Sequence, residues 1–133
     1  MTMARLRPDA ILGLAIGIVG DCSDAAYLVD GRGTIVAWNT AASELFGIAA
    51  WDASARSCAA VVQGCSPAGT PICRAGCPFL KESQPAPPSV EMRIPSGGLG
   101  RSRLVNIQHL PIRDPVSSTT IAVLHVVEPQ PGG

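Results

Sequence analysis

The stretch that most restricts the fold is AAYLVDGRGTIVAWNTAASELFG, residues 25–47. Two β-prone runs, residues 25–30 and 34–38, flank Gly31-Arg32-Gly33. Glycines accept the positive φ of a tight turn, so the pair predicts a β-hairpin. Asn39 follows the second run directly and precedes an Ala-rich stretch that stops at Gly47. An Asn side chain accepts from the unpaired amides at a helix start, and Gly takes the left-handed turn that ends one, so a short helix is expected between them.

The rest of the chain can be read around that unit. Pro8 suits the first turn of a helix, and Ile11, Leu12, Ala15, Ile16 and Val19 then recur at helical spacing. Gly13, Gly17 and Gly20 each cost such a helix roughly 1 kcal/mol relative to Ala, so it is expected to need a packing partner, a second subunit. Residues 51–84 suggest short helices at 55–63 and 75–83, and Pro85, Pro87 and Pro88 end any helix there. Val90, Met92 and Ile94 alternate with Glu91 and Arg93 as a half-buried strand does, and Gly97-Gly98-Leu99-Gly100 reads as a hairpin turn. Residues 103–112 and 119–127 predict two longer strands around a turn at Arg113-Asp114-Pro115. The expected class is α/β (α+β), a five-stranded antiparallel sheet with the helical middle covering one face. Residues 1–22 form a flanking helix and possible dimerisation element, 23–128 the domain, and 129–133 a tail.

Ten basic residues balance ten acidic ones, which gives no field to hold a nucleic-acid backbone, and aromatics at 4% provide few stacking platforms. Direct nucleic-acid binding is not expected. The apolar run at residues 10–20 is shorter than the roughly 18 residues needed to cross a bilayer. It follows Arg5 and Arg7 as a signal peptide would, but Asp9 interrupts the approach and Gly20-Asp21-Cys22 is a poor cleavage site. A cytoplasmic protein without a membrane partner is expected.

The ordered set, hairpin, Trp38-Asn39, helix ending Glu44-Leu45-Phe46-Gly47, then RLVNIQHLPIRD and IAVLHVV, resembles PAS domains over most of the chain. The segment from Ser57-Cys58 to Cys77-Pro78 also resembles a cysteine-bearing PAS variant of bacterial transcriptional regulators and sensor kinases. The resemblance implies a sensory module, homodimeric through its leading helix, that detects a small ligand, cofactor state or redox state. It would relay that state to a DNA-binding or kinase effector outside this chain. A cofactor between sheet and helices would meet Trp38, Asn106 and Gln108. Residues 57–64 distantly echo the reactive-cysteine motif of flavin-binding light-sensing PAS domains but lack its Asn and Arg, which argues against flavin.

Cys58, Cys65, Cys73 and Cys77 are spaced C-x6-C-x7-C-x3-C. Four thiolates suit tetrahedral zinc or an iron-sulfur cluster, two can form a redox pair, and Cys is equally at home as a small buried residue. All three readings stay open, and a stand-alone metal or redox-thiol protein is the alternative function. Cys22, remote from the others, is expected to be structural or exposed. His109 and His125 are the imidazoles available to haem, but a hairpin centred near Pro115 and Val116 places them on opposite sheet faces. No phosphate loop, nucleophile elbow or H-E-x-x-H is present, and Asp24, Asp30, Glu44 and Glu91 are scattered, so the chain is not expected to be an enzyme.

Overall fold

In the computed structural model, which describes residues 7–73, 89–95 and 101–129, the chain runs α1 (Pro8–Asp21), β1 (Ala25–Asp30), β2 (Ile35–Trp38), α2 (Thr40–Phe46), α3 (Ala50–Ala53), α4 (Cys58–Val62), β3 (Ser89–Pro95), β4 (Ser102–Arg113) and β5 (Thr120–Pro129). The five strands form one antiparallel sheet in the order β2-β1-β5-β4-β3. The expected architecture is present. The second suggested middle helix, residues 75–83, and the Gly97–Gly100 turn lie outside the described residues. The first, expected over 55–63, forms only over Cys58–Val62, because Ala55 takes a positive φ of 67° that no helix tolerates.

Alternation along each strand sends side chains to two separate cores. On the inner face Tyr27, Val29, Met92, Ile94, Val105, Ile107 and Val127 pack beneath Phe46 of α2, Ala53 of α3 and Val61 and Val62 of α4. On the outer face Ala26, Leu28, Ala37, Ala122 and Leu124 meet Ala15 and Val19 of α1. The leading helix therefore finds its first partner in its own sheet. Leu14 and Ile18, on its other side, stay 60% and 57% exposed. Among the described residues no helix is long and apolar enough to cross a membrane.

The turn after β4 sets which residues share a face. Asp114 N–H donates to Thr119 O and Ser118 N–H to Asp114 O, with Ser118 at a φ of 61° and a bulge between Ile112 and Arg113. This wider turn pairs His109 directly with His125, an odd-numbered shift from the register expected of a hairpin centred at Pro115 and Val116. An odd shift reverses facing, so both histidines lie on the inner face.

Candidate functional site

The inner face carries a continuous layer of rings. Tyr27 stacks on His125 with centroids 4.4 Å apart and planes 11° from parallel, and His125 meets His109 edge-on at 4.9 Å. Trp38 lies 5.4 Å from Tyr27 and 4.9 Å from Phe46. The Trp38 indole N–H donates to Ile48 O at 3.0 Å, so this residue, expected to touch a cofactor, spends its one donor on the backbone. His125 Nδ1 sits 3.1 Å from Val123 O, and because a carbonyl only accepts, Nδ1 carries the proton there. Burial lowers the pKa of His109 to about 4 and that of His125 to about 3, the latter also disfavoured by the neighbouring His109 charge. Both rings are neutral near pH 7.

Asn106 and Gln108 do not join this layer. They alternate with Val105 and Ile107 on β4 and pair with Glu128 and Val126, so they stand half-buried on the outer face, away from α2, α3 and α4. Amides placed there do not look into the space between sheet and middle helices.

The described cysteines of the sequence cluster do not converge on one centre. Cys58 opens α4 and is buried in the inner core. Cys65 exchanges backbone hydrogen bonds with Arg93, so it shares Arg93's side of β3, and its Sγ reaches Arg93 O at 3.5 Å. Ile72 and Cys73 both donate to Gly64 O, a bulge that turns Cys73 over Gly64. A Cβ at Gly64 would stand 2.8 Å from Met92 Sδ and 2.9 Å from Cys73 Sγ. Cys73 thus sits on the Met92 side, while Cys65 sits on the Arg93 side. Cys77 lies outside the described residues. No disulfide joins the described cysteines, and no three His, Cys, Asp or Glu among the described residues gather as metal ligands. Cys65 and Cys73 nonetheless border one open cleft of about 360 Å³ with Gln63, Gly64 and Pro71.

A PAS-fold family profile matches residues 18–126. The chain belongs to the PAS family. The PAS domain of a protein from Colwellia psychrerythraea is 15% identical with a TM-score of 0.61, covering 90% of this chain and 97% of that one. The PAS domain of nitrogen regulation protein NR(II) from Vibrio parahaemolyticus is 17% identical with a TM-score of 0.57, covering 88% of this chain and 98% of that one. A PAS domain from a two-component sensor histidine kinase is 9% identical with a TM-score of 0.55, covering 93% and 100%. No curated protein matches the sequence.

Within this PAS domain the Trp38-Asn39 pair does more than close a strand. Asn39 Oδ1 caps α2 by accepting from Ala42 N–H at 2.8 Å, as expected, but it also accepts from Ala26 N–H of β1 at 3.1 Å. Its Nδ2 donates to Val19 O, Cys22 O and Asp24 O at 3.1, 3.2 and 2.8 Å. One buried amide thus ties the end of α1 and the start of β1 to the start of α2. The cap was visible in the sequence; the other four contacts come from segments 13 to 20 positions away, which no local pattern reveals.

Proposed function

We propose that the chain is a sensory PAS domain that relays a small-ligand, cofactor or thiol-redox signal to an effector outside this chain, without catalysing a reaction of its own. It would act in the cytoplasm as a homodimer. The observation that carries the reading is the two-sided packing of α1. Ala15 and Val19 hold it on the sheet, Asn39 fastens its end to α2, and Leu14 and Ile18 present an apolar stripe outward. A contiguous apolar stripe of this kind suits an interface with a second copy, and its tie to α2 supports transmission from the domain core. The sensor histidine kinase among the similar structures supports the assignment to signalling.

Sedimentation equilibrium tests the dimer. The chain should sediment as a dimer, and Leu14→Glu with Ile18→Glu should convert it to a folded monomer. Those side chains face outward, so the variant is cleaner than removing the helix, which would bare the outer core. A wild-type monomer, or an unchanged mass in the variant, defeats this part of the reading.

A second reading, a stand-alone thiol, zinc or iron-sulfur protein, is favoured by Cys65 and Cys73 bordering one cleft. Metal analysis and an absorption spectrum of anaerobically purified protein, repeated on Cys65→Ser and Cys73→Ser, separate the two. Metal or colour lost in both variants favours it, and the absence of both from the wild type removes its zinc and iron-sulfur forms.

A further inference from the structure

At the sheet end where β5 finishes, a cleft of about 330 Å³ opens between the α1–β1 connection, α2 and β4, with Asp24, Glu44 and Arg103 in its lining. Arg103 occupies the inward phase of β4, in line with Val105 and Ile107. Its Nε is buried and has no hydrogen-bond partner. A buried donor left unpaired is costly, and the guanidinium presents its N–H groups as a fork matched to a carboxylate. The two carboxylates of the cleft do not fill that role, since no ion pair joins Asp24 or Glu44 to Arg103; Arg56 and Asp52 supply the ion pair found among the described residues. Both acids are exposed and open to a ligand.

The cleft therefore displays separated charges of opposite sign. A simple anion would satisfy Arg103 but meet repulsion from two carboxylates, and a simple amine would leave the arginine unpaired. A molecule carrying both charges at short separation answers both demands. We propose that this cleft binds a free α-amino acid, its carboxylate on the Arg103 fork and its ammonium held by Asp24 and Glu44. The volume lies at the small end of ligand pockets, which run from about 300 to 1,000 Å³, and suits a single amino acid rather than a peptide. Bound there, the ligand would touch the connection from α1 and the last residue of β5, Pro129. If the relay reading holds, the amino acid is its input.

Isothermal titration calorimetry of the full chain with L-alanine, L-lysine and L-glutamate tests this, with acetate and methylamine as probes that carry one charge each. At least one amino acid should bind saturably, and neither control should. Arg103→Gln, and separately Asp24→Asn with Glu44→Gln, should each weaken binding about tenfold or more. Because Arg103→Gln removes a costly unpaired donor, its thermal midpoint should hold or rise, so lost binding reports the site rather than unfolding. No binding of any of the three amino acids, acetate binding as tightly as an amino acid, or affinity unmoved in both variants overturns the proposal. Such a failure leaves the relay reading intact, since the titration reads binding alone.

Discussion

Truncating Asn39 to Ala should be among the most damaging single changes in this domain. The side chain is 8% exposed and makes five hydrogen bonds, all to backbone. Loss of a helix cap costs about 1 kcal/mol. The buried Ala26 amide would be stranded, at about 1 kcal/mol or more, while Val19 O keeps the Cys22 N–H and Cys22 O and Asp24 O regain water. The expected loss is about 2 kcal/mol, or roughly 7 °C in thermal midpoint for a domain of this size. Asn39→Asp discriminates between causes. Asp caps helices as well as Asn does, but it would point a second acceptor at three carbonyls. If the donor side of Asn39 matters, Asn39→Asp should lose as much as Asn39→Ala by urea unfolding, with faster hydrogen exchange through α1. An Asp variant within about 1 kcal/mol of wild type would refute the claim that Asn39 fastens α1, leaving it an ordinary cap.

Two further changes test the inner face. The folded pKa values of His109 and His125, about 4 and about 3, lie below the unfolded value of about 6.5, so above pH 6.5 neither state is charged and these groups leave stability flat. As pH falls from 6.5 toward 4, the unfolded chain takes up protons that the folded chain refuses, and stability drops by about 1.4 kcal/mol per pH unit per histidine. Urea unfolding at pH 5 should show a loss of roughly 4 kcal/mol relative to pH 7, with the slope about halved in His125→Gln; an equal slope in that variant would contradict the burial of His125. Gly64→Ala must displace both Met92 Sδ and Cys73 Sγ and should cost about 1 to 3 kcal/mol, partly restored in Gly64→Ala with Cys73→Ala. Simple additivity of the two changes would mean Cys73 does not sit over Gly64.

The fold was readable where a signal is local. Asn39 before an Ala-rich stretch, Gly47 at a φ of 72°, and the alternation of Val90, Met92 and Ile94 each determine their own element through neighbours a few positions away. The histidine facing was not readable, because it depends on the number of residues absorbed by the Asp114–Ser118 turn and the bulge beside it. The same parity effect hid the facing of Cys65 and Cys73, which a bulge opposite Gly64 separates. Asp24 and Glu44 looked scattered because they line one cleft only once α2 has packed against β1, yet Arg103 did leave a trace. A charge in step with Val105 and Ile107 breaks the apolar phase of its strand, and that interruption marks an inward position with a polar purpose.

The central adjacency of β1 and β5 has a mechanical consequence. These strands run antiparallel, and Ala25 faces Val127, so the chain enters the first strand and leaves the last at the same end of the sheet, one strand spacing apart. Tension that drew those two points apart would act across the strands rather than along them. Hydrogen bonds loaded in that direction give way one after another, beginning at Ala25 and Val127, instead of resisting together as they do in shear. The domain should therefore open like a zipper under modest force, from the end at which the chain enters β1 and leaves β5. A pull exerted there by an attached module would peel apart the two strands that carry Tyr27 and His125, parting the stacked rings without first breaking the outer strands.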